Sequence, residues 1–384
     1  MKITKIIGTA ACTSLLIFAP LFFTGCQDVI YSKIMNEVTL DDATISGTIN
    51  SIVRYKNPSD NTEYIFIENG NIYYKAASSA SHISWTKCMD GLTSVSYDYY
   101  GKAFNGTQII KLAADSTYLY ALGVTYEEDE DEGENVTDTE YLYYYDYTSS
   151  TWNKSLSVTS GSATIFCTNT PNPDYREAYL RTSSGVFLLD GDILKDDSTT
   201  SVSGLSAQSS TYGAGTSSCS AIYDYSSGYV YFRDQWATGS NATEDTTSSD
   251  PVYYYYASSD NLYYSTDPSS FSSSRDLGIT KIISMAVTSN AIILGTNGSG
   301  LYKVSNSSGV PGSSTEDFST NADSALGSPY RILAMLSVDP SDTETAATIY
   351  ASADFSGTSS SSTGDYDDIG LWSYYPGRGN WNRE

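Results

Sequence analysis

A repeating pattern of short apolar strands constrains this chain more than any other feature of its sequence. The pattern is clearest at residues 281–305, KIISMAVTSNAIILGTNGSGLYKVS. Residues 282–287 and 291–296 are apolar runs joined by a Thr-Ser-Asn turn, and a third run opens at Gly300 after a Gly-Ser-Gly turn. Apolar runs of this length between turn residues predict β-strands, and their recurrence predicts a repeat architecture.

The third strand of this unit recurs as a small or polar residue followed by an aliphatic and then an aromatic residue. Five further copies begin at Asn71, Tyr141, Gly185, Asn261 and Gly370. Two apolar strands precede each copy, and a more polar strand follows it, often with a large aromatic residue at its start, as at Trp85, Trp152 and Trp381. Four antiparallel strands per unit, with small and β-branched residues in the innermost, are typical of a propeller blade.

The sequence therefore predicts an all-β fold, a β-propeller of six four-stranded antiparallel blades that spans residues 48–384. The blades cover roughly 48–90, 107–158, 161–208, 217–277, 280–326 and 330–384. Seven blades are the alternative, because the long segment before Asn261 contains an extra apolar run at 252–256. We interpret that run as the far arm of a long hairpin.

The N-terminus carries an export signal. Residues 1–25 combine a basic tip with an apolar run and end in small residues, which is the pattern of a secretory signal peptide. The ending Thr24-Gly25-Cys26 resembles the lipobox of bacterial lipoproteins, with Phe23 in place of the usual leucine. This resemblance implies diacylation of Cys26 and attachment to a membrane of the bacterial cell envelope, at the outer membrane or the cell surface. Ordinary signal cleavage, with Cys26 as a chance residue, is the alternative.

The segment that follows the signal is expected to connect the anchor to the propeller. Residues 26–47 would form the lipidated N-terminus and a tether. Beyond residue 25 no stretch has the roughly 18 consecutive apolar residues that a transmembrane helix needs. The mature chain is therefore predicted to be anchored to a membrane by lipid without spanning it.

Charge and cysteine content exclude several kinds of partner. The formal net charge is −25, and so acidic a surface repels phosphate backbones, which excludes nucleic acid as a partner. After Cys26 the chain has three further cysteines, Cys88, Cys167 and Cys219. Their number is odd, and their spacing is not that of metal ligands. A disulfide between Cys167 and Cys219 is disfavoured, because the inner strands of neighbouring blades diverge from the axis. No cofactor is expected.

Three hairpins between third and fourth strands resemble Asp-box turns, Ser-x-Asp-x-Gly-x-Thr-Trp, of sialidase-like and photosystem-assembly-type β-propellers. They lie at 145–152, 265–271 and 375–381. The spacing from Asp to the aromatic residue is six at Asp146 and four at Asp267, where that family has five, and the last copy lacks the Asp. In that family these turns are structural, so the resemblance implies an architecture and no activity.

A sialidase-like, glycan-processing hydrolase is the enzymatic alternative on this fold. Such an enzyme needs an arginine cluster for the substrate carboxylate and a tyrosine paired with an acid, and the Arg-Ile-Pro motif of that family is missing near the first blade. Candidate arginines on or beside predicted strands are Arg54, Arg181, Arg233 and Arg331, which we interpret as paired or solvated charges. His82 is the only histidine; we interpret it as a surface residue, and it leaves no spare candidates for a catalytic triad.

An acidic run is the one sequence candidate for a metal site. Six consecutive carboxylates extend from Glu127 through residue 132, and the candidate ligands are Glu127, Glu128, Asp129 and Asp131. Calcium prefers six to eight oxygen ligands, but no alternating Asp-x-Asp-x-Asp-Gly arrangement directs these side chains inward. We therefore interpret the run as a solvated hairpin tip and predict no metal site.

Tyrosine accounts for 35 of the 384 residues and forms runs at 141–147 and 253–256. Consecutive tyrosines in a strand face both sides of a blade, so most of them are expected to pack between blades. The remainder would present aromatic rings with hydroxyls to a protein or sugar. The sequence thus favours an exported, lipid-anchored binding or scaffold module for a protein or glycan ligand, without enzymatic activity.

The lipid anchor leads to the first testable prediction. We expect Cys26→Ala to release the protein from the membrane fraction and to abolish incorporation of radiolabelled palmitate, because acyl chains on this cysteine supply the membrane affinity. Fractionation and autoradiography of cells that express the parent and the variant measure both effects. Unchanged membrane retention of the variant contradicts the assignment.

Overall fold

The computed structural model divides the chain into two units, Met1–Asp42 and Ala43–Glu384. It describes residues 45–78, 85–128, 136–158, 163–167, 176–196, 201–208, 221–224, 229–233, 254–258, 261–265, 273–279, 281–288, 290–307, 309–319, 326–338, 348–355, 369–375 and 380–384. The signal segment, Cys26, His82, Cys219, Asp129 and Asp131 lie outside these residues. None of the helices in the described ranges is long and apolar enough to cross a membrane.

The described residues form six antiparallel sheets in chain order, numbered here sheet 1 to sheet 6. Sheet 1 consists of β1 (Ile52–Lys56), β2 (Glu63–Glu68), β3 (Ile72–Ala76) and β4 (Thr86–Lys87). Sheet 2 consists of β5 (Ser96–Tyr97), β6 (Ala103–Ala114), β7 (Leu119–Glu128), β8 (Val136–Asp146) and β9 (Thr151–Val158). Sheet 3 consists of β10 (Thr164–Cys167), β11 (Ala178–Thr182), β12 (Gly185–Leu188) and β13 (Ser206–Gln208), with the short helix α1 (Gly191–Leu194) before β13.

The second half of the chain repeats this organisation. Sheet 4 consists of β14 (Ala221–Asp224), β15 (Tyr229–Arg233), β16 (Tyr254–Ser258), β17 (Asn261–Ser265) and β18 (Ser273–Asp276). Sheet 5 consists of β19 (Ile282–Val287), β20 (Ala291–Thr296), β21 (Leu301–Ser307) and β22 (Val310–Asp317). Sheet 6 consists of β23 (Tyr330–Val338), β24 (Thr348–Phe355), β25 (Gly370–Tyr375) and β26 (Asn380–Arg383).

The inner strands of each sheet are apolar on both faces because neighbouring sheets cover both faces. Every residue of β20 is buried, and β24 is buried up to its last residue. The outer strand β9 instead alternates between buried and exposed positions. Continuous apolar runs such as 291–296 therefore fold as strands without the alternation that a half-exposed sheet requires.

Inner strands of five sheets gather around a common centre. β23 contacts β1, β1 contacts β6, β6 contacts β10, and β19 contacts β23. One central cavity is lined by residues of all five of these strands. Antiparallel sheets that follow one another in chain order around a shared centre define a β-propeller-like fold.

The first and last sheets pack against each other and join the two ends of the described chain. A buried cluster combines Ile52 and Ile65 of sheet 1 with Leu336 and Tyr350 of sheet 6. Ile45, in the final part of the predicted tether, is fully buried in the same cluster, and its N–H donates to Glu384 O at 3.0 Å. The first and last sheets are thus joined by buried apolar contacts and by a backbone hydrogen bond.

A buried ion pair lies within this junction. Lys75 Nζ lies 2.6 Å from Glu384 Oε2, and both side chains are fully buried. Trp85 Nε1 donates to the same oxygen at 2.7 Å, and Tyr375 Oη donates to Glu384 Oε1 at 3.0 Å. The ammonium group also lies 4.8 Å from the ring centroids of Trp85 and Tyr350. These contacts hydrogen-bond both carboxylate oxygens and satisfy the condition under which a buried charge pair is tolerated.

Sheets 2 and 4 correct the prediction of four strands per blade. In sheet 4 the run at 252–256 contributes β16, which pairs antiparallel with β15 and confirms the long hairpin. The segment that starts at Asn261 is consequently the fourth strand of its sheet, so its prediction as a third strand was wrong. In sheet 2 the short strand β5 pairs with the beginning of β6 and adds a fifth strand at the inner edge.

The ion pair between sheets 1 and 6 leads to a stability prediction. Removing one partner leaves an uncompensated buried charge, so we expect Lys75→Met or Glu384→Gln to lower the free energy of unfolding by roughly 3–5 kcal/mol. The double variant should lose less than the sum of the two single variants. Urea denaturation measures each value.

The control for this prediction is an exposed pair in sheet 5. Lys303 Nζ lies 3.8 Å from Glu316 Oε2, with side chains 38 % and 70 % exposed. Lys303→Met should therefore change the free energy of unfolding by less than about 1 kcal/mol. Equal effects of Lys75→Met and Lys303→Met would show that the buried pair does not stabilise the junction.

Candidate functional site

The central cavity has a volume of about 180 Å³. It is smaller than the pockets of about 300–1,000 Å³ that hold drug-sized ligands, and slightly larger than a cavity of about 150 Å³ that holds benzene. Its wall is mostly apolar and includes Val53, Leu112, Ile165, Met285 and Met335. Its polar wall residues include Asn50, Ser51, Lys111 and Ser284.

Irregular pairing of three inner strands coincides with the cavity. The register shifts by one residue between Ile109 and Lys111 in β6, between Ile282 and Ser284 in β19, and between Ile332 and Met335 in β23. A β-bulge of this kind inserts one extra residue, bends the strand and re-aims side chains. The bulges therefore account for the local widening at the centre and for the orientation of Lys111 into it.

Lys111 is the cation in the described wall of the cavity. Its Nζ donates to Asn50 O at 2.7 Å. Burial lowers the pKa of Lys111, and the nearby carboxyl group of Glu68 opposes this shift. An ammonium group in an apolar cavity is a recognition group for an anion or for a strong hydrogen-bond acceptor.

Glu68 lies behind the cavity wall and is 1 % exposed. Its Oε1 accepts the N–H of Asn50 at 2.8 Å and the hydroxyl of Ser51 at 3.3 Å. Ser51 Oγ accepts the N–H of Leu112 at 2.8 Å, so this network connects β6 to the start of β1. Burial raises the pKa of Glu68 to about 8.

The candidate arginines do not meet in the described wall of the cavity. Arg54 Nη2 donates to Ser337 O at 2.6 Å, and Arg331 pairs with Asp354. These contacts confirm the interpretation of both residues as paired charges. Arg181 lies on β11, and the side chain of Arg233 lies outside the described residues.

A second buried arginine, which the sequence did not single out, lies close to Arg54. Arg176 Nη2 lies 2.6 Å and Arg54 Nη1 lies 3.7 Å from the same oxygen, Glu63 Oε1. The two guanidinium groups thus converge on a carboxylate of the protein itself. Glu63 thus offsets one of these two positive charges within the fold.

An exposed turn of sheet 2 carries three tyrosines and is called here the tyrosine turn, residues 97–102. The large hydrophobic side chains exposed among the described residues are Tyr97, Tyr99, Tyr100 and Ile283. Tyr99 and Tyr100 are 96 % and 88 % exposed, and their ring centroids lie 5.4 Å apart in an edge-to-face arrangement. The turn therefore presents aromatic surface to solvent on a short, defined segment.

Hydrogen bonds to Asp98 fix the backbone of the tyrosine turn. Asp98 Oδ1 accepts the N–H groups of Tyr100 and Lys102 at 2.9 and 2.8 Å. The N–H of Gly101 donates to Asp98 O at 3.0 Å, and Gly101 has a φ of +77°. Asp at the first and Gly at the fourth turn position are the sequence signal that could have located this feature.

The tyrosine runs that the sequence did single out are largely internal. Tyr143, Tyr145 and Tyr255 are buried, which confirms packing between sheets for these residues. Tyr55 also contacts Tyr145 edge to face, at 6.5 Å between ring centroids, across sheets 1 and 2. Aromatic surface for binding is thus found in the turn and not in the long tyrosine runs among the residues described.

The hairpin that most resembles an Asp box has a structural role here. Asp146 Oδ1 accepts the N–H of Thr148 at 3.0 Å, and Asp146 Oδ2 accepts the hydroxyl of Ser149 at 3.0 Å. Trp152 packs on Tyr145 and donates from Nε1 to Cys88 O at 3.1 Å. The hairpins at 265–271 and 375–381 lie partly outside the described residues.

The acidic run begins at the end of β7. Glu127 and Glu128 pair across the hairpin with Thr137 and Val136. Within the described ranges, no group of three or more His, Cys, Asp or Glu side chains is placed to hold a metal ion. Asp129 and Asp131 lie beyond those ranges, so the solvated tip stays a prediction.

Sequence comparison identifies no relative: no family model and no curated protein matches the chain. Similar solved structures include BBS1N in complex with ARL6DN, at 9 % identity and a TM-score of 0.35 over 81 % of this chain and 76 % of that chain. The α-L-arabinofuranosidase Arb93A from Fusarium graminearum, in complex with an iminosugar inhibitor, has 9 % identity and a TM-score of 0.33 over 89 % of this chain and 99 % of that chain. A protein of unknown function from Dyadobacter fermentans has 10 % identity and a TM-score of 0.30 over 83 % of this chain and 95 % of that chain. TM-scores this low define no common function, so the propeller-like assignment rests on the sheets themselves.

Glu68 leads to a prediction about pH and stability. An unfolded chain ionises this carboxyl group near pH 4.5, whereas burial keeps it protonated up to a pKa of about 8 in the fold. Between these values the folded state holds more protons than the unfolded state, so stability falls as pH rises. The free energy of unfolding of the parent should fall by an amount on the order of 3 kcal/mol between pH 5 and 8. Glu68→Gln keeps the hydrogen-bond acceptor but cannot ionise, so we expect the variant not to show this decrease.

Urea denaturation at pH 5 and pH 8 tests this expectation. Glu316→Gln, which changes an exposed carboxylate of sheet 5, is the control and should keep the pH dependence of the parent. Equal pH dependence of the parent and Glu68→Gln would show that Glu68 is already ionised in the folded protein.

Proposed function

We propose that this chain is an exported lipoprotein with a six-bladed β-propeller that binds a protein or glycan ligand at the cell envelope without acting on it. In this proposal diacylated Cys26 holds the protein at the membrane, and residues 26–47 connect the anchor to the propeller. The tyrosine turn is the binding surface. Three exposed tyrosines on one fixed turn are the observation that carries the proposal.

A count of six blades is supported by the order and packing of the sheets. The described residues form six sheets in chain order, and inner strands of five of them, β1, β6, β10, β19 and β23, line one central cavity. Sheets 1 and 6 bury Ile45, Ile52 and Leu336 between them. A ring that joins its first and last sheets directly needs no seventh blade for closure.

The geometry of the tyrosine turn suits recognition. Tyrosine supplies a large amphipathic contact area and has few rotatable bonds, so ordering it on binding costs little entropy. Asp98 already fixes the turn by accepting two backbone N–H groups, which further reduces the ordering required. Exposed aromatic residues of this type are frequent energetic centres of protein interfaces and also stack on sugars.

The contacts of the buried arginines favour a binding protein over the hydrolase alternative. Arg54 and Arg176 both face Glu63, and Arg331 faces Asp354. To bind a substrate carboxylate, the buried Arg54 and Arg176 would have to give up their contacts with Glu63, and Arg331 would have to give up its ion pair with Asp354.

A paired comparison of variants tests the tyrosine turn. Full-length protein in detergent would be probed on arrays of bacterial and host glycans, and cross-linked to its neighbours in the cells that express it. We expect Tyr99→Ala with Tyr100→Ala to lose roughly 30-fold or more in affinity for the ligand so identified, because exposed aromatic hot spots contribute about 2 kcal/mol or more each. The melting temperature should not change, since both rings are exposed.

The matched control keeps the aromatic rings. Tyr99→Phe with Tyr100→Phe should retain most of the affinity, because ring area remains and only the hydroxyls are lost. Ligand binding that is unaffected by the double alanine variant would place the binding surface elsewhere.

A further inference from the structure

The central cavity is a second site with its own chemistry, separate from the tyrosine turn. The register shifts of β6, β19 and β23 all lie at this cavity, so three of its five described inner strands depart from regular pairing at one level. Strands with regular pairing could fill the centre with side chains without any shift in register. β-Bulges are over-represented next to functional sites, where they direct side chains.

The apolar part of the wall is accessible to a ligand. Ile283 is the extra residue of the bulge in β19, lines the cavity and is 43 % exposed. Met285 and Met335 line the wall beside it, and methionine side chains adapt their shape to a ligand. An isoleucine exposed inside a cavity gains free energy when an apolar group displaces the water around it.

Among the described residues of the wall, the charged side chain is Lys111. Lys111 Nζ donates to Asn50 O, an uncharged acceptor, and an ammonium group has three donors. Glu68 lies nearby but behind the wall, and its Oε1 accepts the N–H of Asn50 and the hydroxyl of Ser51. A ligand carboxylate that reaches Lys111 would thus meet a donor of opposite charge in surroundings of low polarity, where a charge-assisted hydrogen bond is strong.

We propose that this cavity binds a small carboxylate with a compact apolar body of about the size of a benzene ring, with the carboxylate on Lys111 and the apolar body against Ile283, Met285 and Met335. The volume of about 180 Å³ fits such a ligand. The same volume excludes oligosaccharides and peptides, so the ligand differs in class from the one assigned to the tyrosine turn.

Benzoate and benzamide are matched probes for this proposal, because they share the ring and differ in charge. Calorimetric titration of the full-length protein in detergent should show benzoate binding roughly tenfold or more tighter than benzamide. Lys111→Met replaces the ammonium group with an apolar side chain of similar length and should abolish the preference for benzoate. Lys111→Arg keeps the charge and should retain the preference.

Ile283→Trp provides a test that does not depend on Lys111. The larger side chain would fill the cavity from an already exposed position, and it should weaken binding of benzoate and benzamide alike. Circular dichroism establishes which variants fold, and the Ile283 variant decides the outcome if both Lys111 variants fail to fold. Equal affinities for the two probes, a preference that survives Lys111→Met, an unaffected Ile283→Trp, or no binding at about 1 mM ligand would each overturn the proposal.

Discussion

Burial of both faces of inner strands such as β20 and β24 is the constraint on which this structure depends. A sheet between two neighbours must be apolar on both faces, and only a closed ring provides two neighbours for the first and last sheets as well. The junction of sheets 1 and 6 meets that demand with an apolar cluster around Ile45 and Ile52 and with the buried ion pair of Lys75 and Glu384. The ion pair adds specificity of register, because it forms only when β3 and the end of β26 are aligned and Trp85 and Tyr375 can donate to the carboxylate.

The same closure produces the central cavity. Inner strands that radiate from one centre cannot all approach it equally, so the centre is where regular pairing is most easily interrupted. The extra residue is Ile110 in β6 and Ile283 in β19, and in β23 the register shifts between Ile332 and Met335. Lys111, Ile283 and Met335, which lie at or beside these shifts, line the space and determine what it can hold.

Features governed by local patterns were predictable from the sequence, and features governed by closure were not. The strands Ile282–Val287 and Ala291–Thr296 followed from apolar runs between turn residues, and the burial of Trp152 fits the repeat. The strand order of sheet 4 was mispredicted because β16 and β17 are both rich in tyrosine. Either strand therefore matches the third strand of the repeat equally well. The pairing of Lys75 with Glu384 has no local signal, since the partners are 309 residues apart. The tyrosine turn did have a local signal, which is the spacing of Asp98 and Gly101 at the first and fourth positions of the turn.

Charge separates the two candidate sites. The whole chain has 45 acidic and 20 basic residues, and this net negative charge repels anions at distances up to about the Debye length of 8 Å, so the tyrosine turn suits neutral or cationic partners. The cavity differs because Lys111 lines it, and burial raises the pKa of the neighbouring carboxyl group of Glu68. The proposed preference of the cavity for a small carboxylate therefore rests on Lys111 and the apolar wall around it, and not on the overall charge.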